Sequence, residues 1–219
     1  MHADDAFRLV ETLRFDGLTF PLLERHLRRM RRSADHFDLP FDADRLRQRL
    51  HAAVQNCGIQ EVRKVRVTLG HAGSLETSCE PIDEERSQPR QLLFTGQTVD
   101  SDNELLRHRT TRRTVHDRAQ REAEAAGADG ALLVNEHGEV TDGTEGNLFV
   151  QRGQQYVTPP IACGVLPGVF RARLLDTQPM MTEAVLTVDD LRQADALFCC
   201  NAVHGWQRAA LAEPQRDAA

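Results

Sequence analysis

The sequence predicts a mixed α+β protein in two lobes. Its period-2 strand segments come in runs, and its helical segments stand beside one another instead of alternating one-for-one with strands. The order along the chain is strand–helix–helix–strands, then helix–strands–helix–strand. The polar stretch Asp100-Ser101-Asp102-Asn103-Glu104 separates the two series and is the expected junction, giving lobes over residues 1–102 and 103–219.

Each element has its own local signal. Residues 7–15 read as a strand that ends at the turn Asp16-Gly17. Over residues 21–37, Leu23, Leu27, Met30, Ala34 and Phe37 recur at helical spacing, and Pro21 suits a first turn. Arg25, Arg28, Arg32 and Asp35 occupy the opposite face. A second amphipathic helix over 43–57 carries Leu46, Leu50, Val54 and Cys57 on one side. From Val62 to Leu69 the pattern alternates, with Val65, Val67 and Leu69 facing one way and Lys64, Arg66 and Thr68 the other. Two further strands are expected near 76–82 and 91–98. Beyond the junction come a helix from about 111 to 126, closed by Gly127, and strands near 130–135 and 146–151 with a turn at His137-Gly138. A loop then runs through Thr158-Pro159-Pro160 to Gly164, a helix starts at Pro167, and a last strand covers 196–201.

Composition removes several function classes. The chain has 219 residues and is 40% hydrophobic and 27% charged, the balance of a globular protein with a sizeable core. Its net charge of −6 argues against nucleic acid or an anionic membrane as partner. No apolar run approaches the roughly 20 residues of a membrane span. The start, Met1-His2-Ala3-Asp4-Asp5, lacks the basic-then-apolar pattern of a signal peptide, so a cytoplasmic location is expected. Cys57, Cys79, Cys163, Cys199 and Cys200 include no CxxC spacing, and the histidines show no HExxH, so neither disulfides nor a metal site is expected. Cys199 and Cys200 lie in an apolar run and read as buried small hydrophobes.

Five segments, in order, carry a family resemblance. They are Phe7-Arg8-Leu9-Val10-Glu11-Thr12-Leu13-Arg14; His26-Leu27-Arg28-Arg29-Met30 through Ser33-Ala34; and Gly138-Glu139-Val140-Thr141-Asp142-Gly143-Thr144-Glu145-Gly146-Asn147-Leu148-Phe149. Thr158-Pro159-Pro160 with Gly164-Val165-Leu166-Pro167-Gly168-Val169-Phe170-Arg171 follows, and then Ala194-Asp195-Ala196-Leu197-Phe198 to Asn201-Ala202. Each is weak alone; together they resemble the class-IV aminotransferases, the fold-type IV pyridoxal-phosphate (PLP) enzymes, and among them most of all aminodeoxychorismate lyase. The resemblance implies the two-lobed fold-type IV α+β architecture, a homodimer, PLP as cofactor and a small anionic substrate.

It also implies roles for particular residues. Arg29 falls where the family binds the PLP phosphate, and the backbone amides of Val169 and Phe170 at a helix start complete that cradle. Phe170 and Ala202 stand where many relatives have hydroxyl residues. Asp142 takes the place of the glutamate that faces the pyridine nitrogen and is one methylene shorter. In the segment Arg107-His108-Arg109-Thr110-Thr111, Arg109 stands where the family's lysine forms the Schiff base. A guanidinium stays protonated and is a poor nucleophile, so Arg109 cannot form that bond. Lys64 is the chain's only lysine and reads as a solvated strand residue more readily than as a substitute amine.

Three function readings follow from these two replacements. One is an enzyme on a chorismate-derived or amino-acid-like substrate that lacks Schiff-base chemistry but keeps an acid–base site, with Arg109 as an anion clamp or electrostatic stabiliser. Another is a conventional PLP lyase or transaminase whose lysine has been replaced. The third is a non-catalytic binding subunit. In the first, Arg29, Arg109 and the helix start at Val169-Phe170 are expected to form one anion site.

Overall fold

The computed structural model describes residues 7–57, 60–82 and 88–212; the start of the chain, Met1–Asp5, lies outside them. They fall into two compact units. The first holds the described residues up to Ile82 together with 108–112 and 202–204, and the second holds the rest.

In the first unit, β1 (Leu9–Asp16), β2 (Val62–Leu69) and β3 (Leu75–Pro81) form an antiparallel sheet in that order. Leu9, Leu13 and Phe15 of β1 and Val65, Val67 and Leu69 of β2 point to one face, as strand alternation requires. Helices α1 (Leu23–His36) and α2 (Ala43–Cys57) cover that face with Leu27, Met30, Ala34, Leu46, Leu50 and Val54. The other face carries Thr12, Arg14, Lys64, Arg66 and Thr68, the polar set of the same alternation. Residues 108–112 run along the outer edge of β1: Val10 N donates to Arg109 O at 2.8 Å and Thr111 N to Arg8 O at 3.0 Å. That pairing explains why the next helix begins at Thr114 and not near 111, since its expected first turn is occupied by strand-like bonding.

The second unit is built on an eight-stranded sheet, and β4 (Arg90–Val99) belongs to it. This strand lies parallel both to β5 (Gly130–Asn135) and to β11 (Gly205–Leu211). The expected division at 102/103 therefore falls inside the second unit, because hydrogen bonding ties 90–99 to later strands. The remaining strands are β6 (Val140–Gly143), β7 (Asn147–Arg152), β8 (Gln155–Thr158), β9 (Met181–Glu183) and β10 (Ala196–Asn201), in the spatial order β6-β5-β4-β11-β10-β7-β8-β9. Helix α3 (Thr114–Ala125) packs Ala119 and Ala123 against Leu93, Ala131 and Leu133. A separate core gathers Leu92, Leu132, Val140, Leu148, Val150, Leu186 and Leu197. Helices α4 (Val169–Thr177) and α5 (Val188–Arg192) complete the unit. Cys199 and Cys200 are buried, as their apolar run implies.

One buried polar group organises the first unit. Glu11 sits on the core face of β1 between Leu9 and Leu13 and is 1% exposed. Two residues of α1, three apart and therefore on one helix face, supply its donors. Arg29 donates from Nε to Oε1 at 2.8 Å and from Nη2 to Oε2 at 2.6 Å. His26 Nδ1 lies 2.6 Å from Oε2, which makes Nδ1 the protonated nitrogen. Burial pushes the Glu11 carboxyl up, but the Arg29 guanidinium and the His26 contact outweigh it and bring it down to about 2. Burial also lowers the pKa of His26, so its ring is neutral at pH 7.

The folded pKa of Glu11 lies below its ordinary value of 4.5, so its contribution to stability is complete above 4.5 and fades as the pH falls towards 2. The lowered pKa of His26 acts in the same direction, from its ordinary value of 6.5 downwards. Glu11→Gln is expected to lower the unfolding free energy at pH 7 by about 3–5 kcal/mol, the usual effect of removing one partner of a buried ion pair. It should also flatten the loss of stability between pH 5 and pH 3 in urea titrations. An unchanged acid slope in the variant would show that Glu11 does not govern the acid limb.

Candidate active site

The first unit places Arg109 at the edge of β1, where its Nη2 donates to Thr12 Oγ1 at 3.3 Å. The preceding residue anchors the segment. His108 Nδ1 lies 2.8 Å from Ser33 Oγ, and its ring stacks on His36 at 4.5 Å between centroids. Ser33 is one helical turn beyond Arg29, so the face of α1 that holds Glu11 also fixes the Arg109 segment. Arg29 is placed in this unit too, held to Glu11 by two of its nitrogens. Ala202 lies in the turn between β10 and β11 and groups with the first unit; its neighbour Val203 accepts a hydrogen bond from Arg14 Nη1 at 3.1 Å. Lys64 is 39% exposed and pairs with Glu80 at 2.8 Å, the situation of a solvated strand lysine.

The second unit holds Asp142, Val169 and Phe170. Asp142 is buried on β6, and its Oδ2 accepts from Leu166 N at 3.0 Å and from Asn147 Nδ2 at 3.2 Å. Asn147 Nδ2 also donates to Leu166 O at 2.9 Å. The carboxylate is thereby tied to the loop that leads into α4. Asn147 approaches that loop so closely that a Cβ on Gly168 would stand 1.8 Å from its Oδ1, which leaves glycine as the residue the N-cap position admits. No side chain caps α4. Its first-turn amides, those of Val169 and Phe170 included, have no partner inside the helix, the arrangement that suits an anion.

The second oxygen of the carboxylate is the unusual one. Asp142 Oδ1 is buried and accepts no hydrogen bond among the described residues. Burial lifts the Asp142 pKa from 3.8 to about 7, against the opposing pull of the Leu166 amide and of the charges of Arg113 and Arg171. Near neutral pH this group can hold or release a proton at Oδ1.

These features test PLP as a ligand. Oδ1 of Asp142 is an orphaned acceptor suited to a ring N–H, and the uncapped start of α4 suits a phosphate. The second unit's residues thus fit a ring nitrogen and a phosphate, while the chain's one lysine, Lys64, is paired with Glu80 in the first. Sequence patterns located Arg109, Arg29, Asp142 and the helix start but gave no role to Glu11, His26 or Asn147. For Glu11 a signal existed, a carboxylate in phase with Leu9 and Leu13.

The raised pKa of Asp142 means that its ionisation opposes folding. Its cost appears as the pH rises from 3.8 through about 7 and reaches on the order of 4 kcal/mol above that. Asp142→Asn should therefore gain stability relative to the wild type as the pH is raised from 4.5 to 8, read from urea unfolding at each pH. A pH-independent difference would mean that Asp142 ionises normally in the folded protein.

Comparison with known proteins agrees with this geometry. Residues 8–211 match the Amino-transferase class IV family. A Schizosaccharomyces pombe protein named "Putative aminodeoxychorismate lyase" is 28% identical over 199 residues, spanning 88% of this chain and 84% of that one. The crystal structure of a "Putative amino-acid aminotransferase" from Mesorhizobium loti superposes with a TM-score of 0.88 at 35% identity, covering 94% of this chain and all of that one. A "Putative 4-amino-4-deoxychorismate lyase" from Legionella pneumophila gives 0.85 at 26% identity, covering 99% and 90%. The uncapped helix start, the buried carboxylate ahead of it and the match over nearly the whole sequence make this chain a member of the class IV aminotransferase family, with the fold-type IV α+β architecture.

Proposed function

We propose that this chain is an aminodeoxychorismate-lyase-like enzyme that acts on an anionic, chorismate-derived or amino-acid-like small molecule without covalent attachment to PLP. The observation that carries the proposal is Arg109, a guanidinium hydrogen-bonded to Thr12, at the position that the sequence resemblance assigns to the family's lysine. A permanent cation there cannot become a nucleophile or a base, but it can hold a carboxylate or stabilise negative charge that develops during reaction.

PLP, when bound, would supply an electron sink. Asp142 would face its ring nitrogen and the α4 amides its phosphate. The chain's own contributions are distinct. Glu11 neutralises Arg29 and holds it in one orientation. Thr12 orients Arg109. While Oδ1 is without a donor, Asp142 exchanges a proton there near pH 7, and a ring N–H on Oδ1 would hold it ionised. The working form is taken to be a homodimer, following the family resemblance, and sedimentation would check it.

The test combines labelling with turnover. Wild-type protein incubated with PLP and reduced with borohydride should gain no phosphopyridoxyl mass on any peptide, while Arg109→Lys should gain it at position 109. Turnover of 4-amino-4-deoxychorismate to pyruvate by a conventional PLP route should require Arg109→Lys together with Asp142→Glu. Either single change should fall short of the double by on the order of 10²-fold, the usual size of one acid–base contribution. A label on Lys64 in the wild type would overturn the proposal. Full activity of Arg109→Lys alone would favour a conventional lyase whose lysine was replaced.

A further inference from the structure

The face of the β1–β2–β3 sheet opposite the helices is cationic in a chain whose net charge is −6. Strand register places Thr12 directly across from Arg66, Arg14 across from Lys64, and Val10 across from Thr68. Arg8 joins the same face, donating from Nη1 to Thr68 Oγ1 at 3.3 Å. With Arg109 on Thr12, five cations share this surface. Among the described residues three carboxylates belong to it, and each is engaged: Glu76 with Arg8 at 2.8 Å, Glu80 with Lys64 at 2.8 Å, and Asp16 with the amides of Leu18 and Thr19. Arg14 opposite Lys64 is a like-charge cross-strand pair, an arrangement that destabilises a sheet. Arg66 is exposed and makes no hydrogen bond or ion pair among the described residues.

We propose that Arg66 is a substrate-recognition residue that forms, with Arg109 and Thr12 on this sheet face, a binding site for an anion bearing two carboxylates. This deepens the function proposed above and rests on it, since Arg109 is one of the two arms. Directly opposed residues on neighbouring strands have Cβ atoms about 4.5–5.5 Å apart. Thr12 therefore brings the guanidinium it holds next to the root of the Arg66 side chain. Each guanidinium is a planar fork that matches one carboxylate with two parallel hydrogen bonds. Arg109 reaches Thr12 from the outer edge of β1 and Arg66 stands across from Thr12 on β2, so two forks flanking one threonine suit two carboxylates on a small ring better than one.

The experiment uses isophthalate, a ring with two carboxylates, and benzoate, the same ring with one, titrated calorimetrically into the full-length protein at matched ionic strength. Wild type should bind isophthalate at least about tenfold more tightly than benzoate, the discrimination expected of one added charge-assisted fork. Arg66→Gln should abolish that preference and leave benzoate affinity unchanged, while Arg109→Gln weakens both ligands. Arg32→Gln, on the exposed face of α1, should leave the preference intact and so controls for loss of a positive charge. If Arg66→Gln keeps the preference while Arg109→Gln loses affinity, the role of Arg66 is wrong and the proposed function stands. If neither variant changes binding, both fall. Loss of the preference in Arg32→Gln, or an Arg66-dependent affinity for inorganic phosphate equal to that for isophthalate, would also overturn the dicarboxylate site.

Discussion

A buried carboxylate must be surrounded by donors, and meeting that requirement at Glu11 sets much of the first unit. The charge lies between Leu9 and Leu13, where water cannot reach it, so its donors have to come from α1. Arg29 and His26 face it only if α1 takes one rotation about its axis. That rotation brings Ser33, one turn further on, against His108. His108 in turn seats the segment that lies along β1, and Arg109 reaches Thr12 from there. The position of the side chain on which the chemistry turns thus descends from an ion pair in the core. The same pair offsets the charge of Arg29 within the core.

The two units treat their buried carboxylates in opposite ways. Glu11 is gripped by a guanidinium through two short hydrogen bonds and is brought down to about 2. Asp142 feels Arg113 and Arg171 only at a distance, and desolvation takes it up to about 7. Those arginines are committed elsewhere. Arg113 donates to Thr144 O at 3.1 Å, and Arg171 to Pro159 O at 2.8 Å and to Thr158 and Glu183. Contact, and not the mere presence of a cation, decides the sign. One carboxylate is permanently charged and structural, while the other is poised to exchange a proton.

Longer elements of the fold were legible because each carries several turns or alternations of pattern. The expected spans of α1, α2, β2 and β10 lie within two residues of those observed at either end. The strands β6, β8 and β9 and the helix α5 have four, four, three and five residues, too few for a period to declare itself. The helix expected from 111 starts at Thr114 because 108–112 pairs with β1, a long-range bond that no local pattern encodes. For the same reason the membership of β4 was hidden: its partners lie some forty and over a hundred residues further on. At the site, the family resemblance pointed to Arg109, Arg29, Asp142 and the start of α4. It could not show that Arg66 faces Thr12, since cross-strand register exists only once the sheet has formed.

The resemblance sets Arg109 against the family's lysine, a group that cannot lose its proton against one that can. In the proposed function that divides the work of one residue into two. Arg109 keeps the positive charge and, with its planar fork, improves on lysine as a carboxylate anchor. It gives up proton transfer, which needs a group whose pKa lies near the working pH. Asp142 has that property at about 7, and it has it because Oδ1 is left without a donor. A glutamate reaching further towards a ring nitrogen would be held ionised by that contact. The shorter aspartate, buried and half-satisfied, stays titratable. In the proposed function the two positions are therefore chemically complementary: Arg109 holds a fixed charge and Asp142 a titratable one.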